Sequence, residues 1–264
     1  MRRASQFGLL GLCALGSCAT ADLRTAEILE VRDRPAAERK GRELLERAID
    51  AAGGRKQWQS FSSVAMGFQD EWQGFLGWLF RPWPSNPTRL YMRYELHGGA
   101  VDAAFLEGSQ RETHWGVDRN GFWSQTQPKD RDYHSRESAR FILRAYQYFF
   151  ELPFEIANAD IVLYAGERIR DERLFDLVFA TWQSAQPHLA DDQYLLWIAR
   201  DTGRLEMVQY TIRDKYRFAT GVNRFSEFRE VQGLVLPHRY WIAEDPDDRS
   251  YIHAVRLRDV VFER

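Results

Sequence analysis

From Ser63 onwards the chain repeats one pattern, in which short segments of alternating apolar and polar or small residues are separated by turn signals. Val64, Met66 and Phe68 show this alternation first. A period of two is typical of half-buried strands, and about eleven such segments can be counted. Because a twisted sheet of that many strands curls or closes, the pattern predicts a mainly β, α+β fold. Its core would be a highly curved antiparallel sheet forming an incomplete, half-open β-barrel.

Short connections indicate that neighbouring strands run antiparallel. Trp115-Gly116-Val117 leads through Asp118-Arg119-Asn120-Gly121 into Phe122-Trp123-Ser124, and Asn-Gly between apolar runs is a strong hairpin signal. Later strands are predicted at residues 160–166, 174–182, 194–199, 205–212, 223–231, 234–243 and 251–262, with tight turns between them.

Two segments show the helical period instead. The first starts at Ala36 and ends at Gly53-Gly54, and the second runs from Ser135, a potential N-cap, to Glu151, before Pro153. The apolar stripe of the second helix contains Phe141, Ile142, Ala145, Tyr148, Phe149 and Leu152. Such stripes must be buried against another element, so we expect both helices on the concave side of the sheet.

The N-terminus has the layout of a secretory signal. Arg2 and Arg3 precede an apolar run, residues 7–15, which is shorter than the roughly 20 residues of a membrane-spanning helix. Leu15-Gly16-Ser17-Cys18 resembles the lipobox of bacterial lipoproteins. Residues 1–17 are therefore expected to be a signal peptide, Cys18 a lipid anchor, residues 18–35 a tether and residues 36–264 a single domain. Cleavage after Ala21 is the alternative.

Charge and cysteine content exclude several functions. Both cysteines, Cys13 and Cys18, lie in the leader, so no disulfide is expected in the mature part. Removing residues 1–17, with Arg2 and Arg3 and no acidic residue, changes the formal net charge from −2 to −4. No basic stripe marks a nucleic-acid surface.

Motifs for catalysis, metal or cofactor binding are missing from the sequence. The six histidines are scattered, without metal-ligand spacing. Asp70-Glu71 and Asp191-Asp192 pair two carboxylates, but a solvated strand end or turn explains each. We therefore predict a protein that is not an enzyme, with no cofactor and no metal.

Aromatic side chains are the candidates for ligand contact. The chain has nine tryptophans, seventeen phenylalanines and eleven tyrosines, which fit either a filled β-rich core or an aromatic-lined cavity. The residues predicted to face the concave side, and so to line such a cavity, are Trp72, Trp115, Phe141, Phe149, Trp182 and Trp197.

One apolar segment, residues 74–80, lies between two strands of alternating pattern and precedes Pro82-Trp83-Pro84. Its glycines and the following prolines argue against a regular strand, and we expect a loop. It is either a contact surface for membrane or ligand at a cavity mouth or a plug over the barrel end. Its large side chains are Phe75, Leu76, Trp78, Leu79 and Phe80.

Several stretches together resemble the Lol-type lipoprotein-carrier superfamily, especially an uncharacterised branch of bacterial lipoproteins. They are Glu43-Leu44-Leu45, residues 48–54, Trp58, Leu152-Pro153-Phe154, Asp201-Thr202-Gly203 and residues 233–237. With their order and spacing, the resemblance extends over most of residues 40–264. The resemblance implies an incomplete β-barrel with a helical lid over an apolar cavity that holds acyl chains. The carriers' latching arginine and their receptor's protruding leucine have no matched position here.

The sequence thus predicts an outer-membrane lipoprotein, facing the periplasm, that binds a lipid, an acyl chain or another apolar ligand under its helices. The outer-membrane destination follows by resemblance to lipoprotein sorting, because Ala19 and not aspartate follows the anchor. The alternative is a binding module that recognises glycans or an envelope protein through exposed aromatic side chains.

Overall fold

A computed structural model describes residues 20–126, 129–213 and 215–264 of the chain. These residues form one sheet of thirteen strands in the order β6-β5-β4-β3-β2-β1-β13-β12-β11-β10-β9-β8-β7. The strands are β1 Ser63–Trp72, β2 Thr88–Glu95, β3 Val101–Phe105, β4 Thr113–Asp118, β5 Gly121–Thr126, β6 Asp132–Tyr133, β7 Ile161–Arg170, β8 Arg173–Thr181, β9 Tyr194–Ala199, β10 Leu205–Ile212, β11 Tyr216–Val231, β12 Leu234–Ala243 and β13 His253–Glu263.

The sheet is antiparallel throughout and is not closed. Every neighbouring pair of strands runs antiparallel, and β6 and β7 remain its two edges. The predicted half-open barrel is therefore confirmed. The two additional strands are β3, whose alanines weaken its alternation, and β6, which has only two residues.

Within the described ranges, five α-helices accompany the sheet: α1 Ala26–Leu29, α2 Arg34–Ala51, α3 Arg55–Gln59, α4 Gly74–Phe80 and α5 Glu137–Glu151. Asp33 caps α2 by accepting a hydrogen bond from the amide of Ala36 at 3.0 Å. The second predicted helix corresponds to α5, whose N-cap is Arg136, one residue after the predicted N-cap Ser135.

The inner face of the sheet carries the main hydrophobic cluster, which the buried faces of α2 and α5 complete. Helix α5 reaches both halves of the sheet. The ring of Phe150 lies 5.5 Å from that of Tyr94 on β2, and the ring of Phe149 lies 4.7 Å from that of Tyr210 on β10. The helix thus spans the interior of the open barrel.

The opposite face of strands β7 to β11 carries a second cluster, which we call the outer cluster. Its members are Ile28, Ile161, Leu163, Ala165, Phe175, Leu177, Phe179, Leu195, Trp197, Ala199, Met207 and Val222. Residues predicted to form a tether pack here, because Leu23 contacts the cluster and Ile28 is buried in it. The amide of Leu23 also donates to Gln193 Oε1 at 2.8 Å. The described part of the tether therefore belongs to the packed domain.

The apolar segment of residues 74–80 is a helix, α4, so the expectation of a loop is wrong. Gly74 begins it with a φ of +69°, which glycine adopts without strain. At Gly77 a Cβ atom would lie 2.9 Å from the carbonyl oxygen of Ile252. The glycines thus permit a close approach of the helix to the sheet end, where the sequence pattern indicated only irregularity.

The predicted signal peptide and Cys18 lie outside the described residues. Among the described residues, no helix is long and apolar enough to cross a membrane.

Candidate functional site

A cavity of about 890 Å³ lies between α5 and the inner face of the sheet. Its volume falls within the range of small-molecule binding sites. Most lining side chains are aliphatic or aromatic and come from both halves of the sheet and from α5. They include Phe68, Trp72, Tyr94, Phe141, Ile142, Ala145, Phe149, Tyr194, Tyr210, Tyr240, Ile242, Val255 and Leu257.

Exposed lining residues identify the mouth of the cavity. On one side are Leu76 and Phe80 of α4, and on the other are Lys215, just before β11, and Phe218 of β11. Phe218 is 78% exposed and Phe80 is 45% exposed. The mouth therefore has an apolar rim, which is unusual for a surface that contacts only water.

Three of the six predicted cavity residues line this space: Trp72 on β1, and Phe141 and Phe149 on α5. The apolar stripe of α5 is wider than predicted. Leu143 and Phe150 are buried in the core, whereas Phe141 and Phe149 are half-buried and face the cavity. Contact of these residues with a ligand remains a prediction.

Trp115, Trp182 and Trp197 do not line the cavity. Trp115 is buried in a filled part of the main hydrophobic cluster, where its ring lies 4.7 Å from that of Phe105 and 5.7 Å from that of Trp83. Trp182 follows β8 and packs edge-on against Tyr194, with ring centroids 6.0 Å apart.

Trp197 lies on the opposite face of the sheet, in the outer cluster. Its indole nitrogen donates to Gln209 Oε1 at 3.0 Å. Every residue of β9 is buried, so this strand has no polar residues to distinguish its two faces. Expecting Trp197 on the concave side was therefore wrong, because strands buried on both faces lose the alternating signal.

The large residues of α4 divide into two groups. Leu76 and Phe80 line the cavity, whereas Phe75, Trp78 and Leu79 point away from it and are 72%, 70% and 52% exposed. The helix thus extends the apolar rim onto the outer surface.

A buried polar cluster lies beside the cavity, around the fully buried carboxylate of Asp70. The indole nitrogens of Trp72 and Trp83 each donate to Asp70 Oδ2 at 2.6 Å, and the hydroxyl of Tyr146 donates to the same oxygen. His253 Nδ1 lies 3.1 Å from Asp70 Oδ1. Burial and the neighbouring Asp70 raise the pKa of Tyr146 well above its usual value. The carboxylate is thus held by donors from β1, α5, β13 and the segment after α4.

Asp70 does not lie at a solvated strand end or turn, so that prediction is wrong. The alternation itself contained the missed signal, because Asp70 and Trp72 continue the buried series of Phe68 with a period of two. His253, the partner that makes burial of the carboxylate possible, is 183 residues away in the sequence. No local pattern indicates that pairing.

Glu151, the last residue of α5, is also a buried acid, and unlike Asp70 it lines the cavity. Its Oε2 accepts a hydrogen bond from the amide of His97 at 3.0 Å, and its Oε1 has no partner among the described residues. Burial, reinforced by the nearby Glu155, raises the pKa of Glu151 to about 7. The folded protein therefore holds this proton at pH values where the unfolded chain has lost it.

This raised pKa predicts a pH-dependent stability. The folded state binds the extra proton between the unfolded pKa of about 4.3 and pH 7, so the free energy of unfolding falls as the pH rises through this window. Glu151→Gln should increase the free energy of unfolding by up to about 3 kcal/mol at pH 8 and by little at pH 4. Urea denaturation at both pH values measures this difference.

The matched control is Glu137→Gln at the exposed start of α5. It should change stability by no more than about 0.5 kcal/mol at either pH. Equal effects of the two substitutions at pH 8 would contradict the assignment to Glu151.

The described residues contain no group of three or more His, Cys, Asp or Glu side chains able to hold a metal ion. His114 pairs with Asp102 at 2.9 Å, and both side chains are about one third exposed. Two groups on adjacent strands form an ordinary hydrogen-bonded pair.

No family model and no curated protein matches the chain. Among the solved structures that match the chain, three illustrate its fold. A DUF1329 family protein from Desulfovibrio piger matches with a TM-score of 0.55 and 11% identity, over 86% of this chain and 93% of that one. A LolA superfamily protein from Nitrosomonas europaea and a putative outer membrane lipoprotein-sorting protein domain from Vibrio parahaemolyticus each match with a TM-score of 0.52 and 11% identity, over 85% of this chain and 93% of theirs. The resemblance predicted from the sequence is therefore confirmed at the level of the fold.

Proposed function

We propose that this protein binds a lipid, or the acyl chain of a lipid-bearing molecule, in the cavity beneath α5. The observation that carries the proposal is the apolar cavity of about 890 Å³ with an apolar mouth. Each methylene group transferred from water into such a space contributes about 0.8 kcal/mol. A single acyl chain thus provides ample driving force without specific contacts.

The proposed location is the cell envelope, with the chain anchored at Cys18 and facing the periplasm. One protein of the same fold is described as a putative outer membrane lipoprotein-sorting protein domain, which supports a function in envelope lipid or lipoprotein trafficking. The amide of Ala21 donates to the carbonyl of Arg217 at 2.9 Å, next to Phe218 at the cavity mouth. Because three residues span at most about 11 Å, an anchor at Cys18 would hold this mouth close to the membrane.

Titration with an uncharged apolar fluorophore, N-phenyl-1-naphthylamine, tests the binding function. We expect saturable binding with about one site per chain and displacement by long-chain lipids. A signal that never saturates, or that lipids do not displace, would contradict the proposal.

The exposed side chains of α4 are proposed as the surface that contacts the membrane. Aromatic residues at a membrane surface insert their rings at the headgroup level. The double substitution Phe75→Ser/Trp78→Ser should weaken co-sedimentation with phosphatidylethanolamine and phosphatidylglycerol vesicles by about tenfold or more. The control is Ile169→Ser on β7, which removes an equally exposed apolar residue, 75% exposed, from a site outside the mouth. Equal losses in both variants would contradict a specific function of α4.

The alternative, glycan or protein recognition through exposed tryptophans, has little support from side-chain orientation. Of the nine tryptophans, Trp78 alone is more than half exposed, and it belongs to α4. A stacking platform for sugars requires several outward rings in a row.

We also propose binding without catalysis. His253 and Asp70 form a buried pair, but no described serine, threonine or cysteine hydrogen-bonds to His253. The pair thus lacks the nucleophile that a hydrolase of this type needs.

A further inference from the structure

Three polar side chains occupy neighbouring positions on the cavity wall. Asn223, Ile242 and His253 pair across β11, β12 and β13, and Tyr240 lies two residues from Ile242 on the same face of β12. With strands about 4.8 Å apart and residues about 3.4 Å apart, the Cα atoms of Asn223, Tyr240 and His253 lie about 8–10 Å from one another. All three residues line the cavity.

Each of these side chains is buried and has an unused hydrogen-bonding group. Asn223, Tyr240 and His253 are 1%, 5% and 5% exposed. Neither Asn223 Oδ1 nor the Tyr240 hydroxyl has a partner among the described residues. His253 directs Nδ1 towards Asp70 and Tyr146, and no described residue hydrogen-bonds to its Nε2. Buried polar groups without partners are rare in native proteins and require an explanation.

The chemistry of these groups favours hydroxyl-bearing ligands. Asn223 Oδ1 accepts hydrogen bonds, and His253 offers Nε2, which donates or accepts according to the state of the ring, so a hydroxyl group, which can do both, suits it in either case. The hydroxyl of Tyr240 can donate or accept. A ligand carboxylate would be repelled by the buried carboxylate of Asp70, which already has four partners. An alkyl chain alone would leave all three groups unsatisfied.

We propose that Asn223, Tyr240 and His253 form a subsite for the uncharged, hydroxyl-bearing head of an amphiphile whose chain occupies the apolar remainder of the cavity. This inference rests on the proposed lipid-binding function and specifies its ligand class. Neutral glycerolipids with free hydroxyl groups have this chemistry.

Competition against bound N-phenyl-1-naphthylamine tests the subsite with three ligands of equal acyl chain. Monopalmitoylglycerol has a neutral head with two hydroxyls, methyl palmitate has none, and palmitate has a charged head. The protein should bind monopalmitoylglycerol about tenfold or more tighter than methyl palmitate or palmitate, since one well-formed hydrogen bond corresponds to about a tenfold change in affinity.

Two variants connect this preference to the subsite. Tyr240→Phe removes a hydroxyl without a described partner, so the ligand-free protein should be as stable as the wild type or more so. It should lower the affinity for monopalmitoylglycerol about three- to tenfold and leave methyl palmitate unchanged. Asn223→Leu should likewise lower the affinity for monopalmitoylglycerol and leave the affinity for methyl palmitate unchanged. Tyr164→Phe, on β7 outside the cavity lining, is the control and should change neither affinity.

The outcomes separate the subsite from the cavity. Equal affinities for monopalmitoylglycerol and methyl palmitate, tightest binding of palmitate, or equal losses for all ligands in Tyr240→Phe would overturn the subsite and leave lipid binding intact. Absence of binding by the fluorophore and by all three lipids would overturn both the subsite and the proposed function.

Discussion

Replacing Asp70 by alanine is expected to lower the free energy of unfolding by about 4 kcal/mol or more. The substitution leaves the indole nitrogens of Trp72 and Trp83, the hydroxyl of Tyr146 and the imidazole of His253 without their common acceptor. Each buried donor left unpaired costs about 1–3 kcal/mol, although such costs are not fully additive. Chemical denaturation of the purified protein measures the loss.

Two further variants show whether the loss of stability comes from removing the carboxylate or from substituting any residue in this part of β1. Asp70→Asn retains the shape and one acceptor oxygen, so it should be destabilised less than Asp70→Ala and should remain folded if the alanine variant does not. Glu71→Ala, at the adjacent half-buried position with only a 3.2 Å hydrogen bond from Gln73, should change stability by less than about 1 kcal/mol. An Asp70→Ala protein as stable as the Glu71→Ala protein would contradict the assigned function of the buried cluster.

Ala145→Trp is expected to abolish ligand binding, with a loss of about 100-fold or more in affinity for the apolar fluorophore or a lipid. Ala145 lies on the cavity face of α5, is half-buried and lines the cavity. An indole at this position would occupy space that a ligand chain needs, and because no protein side chain fills that space, the fold should tolerate it. Binding titrations and a thermal melt of the same sample measure both effects.

Arg140→Trp supplies the matched control, since it places the same side chain on the exposed face of the same helix. It should bind ligand as the wild type does. If Ala145→Trp also binds normally while folded, the ligand site is not the cavity beneath α5.

The strands that were predictable from sequence have one face in the core and one in water. In β2, Leu90, Met92 and Tyr94 are buried while their neighbours are exposed, and this contrast alone fixes both the strand and its orientation. In β9 all six residues are buried, so the strand was predictable and its inner face was not. The misplacement of Trp197 follows from that loss of contrast.

The candidate site was predictable only in part, because it depends on contacts between residues far apart in the chain. The apolar face of α5 identified Phe141 and Phe149. The cluster around Asp70 and the subsite of Asn223, Tyr240 and His253 bring together β1, β11, β12, β13 and α5. Glycine and proline around residues 74–80 indicated irregular backbone, whereas Gly77 permits a helix to approach Ile252 closely. Such tertiary contacts leave no signal in the local periodicity of the sequence.

Lipid binding in the cavity is tested most directly by purifying residues 19–264, which lack the proposed anchor Cys18, from a bacterial periplasm without detergent and analysing the organic extract by mass spectrometry. We predict a defined lipid at roughly one molecule per chain, which is lost in the Ala145→Trp variant and retained in Arg140→Trp. A stable, folded wild-type protein that carries no organic-soluble molecule, and that takes up none when incubated with lipid, would contradict the proposed function.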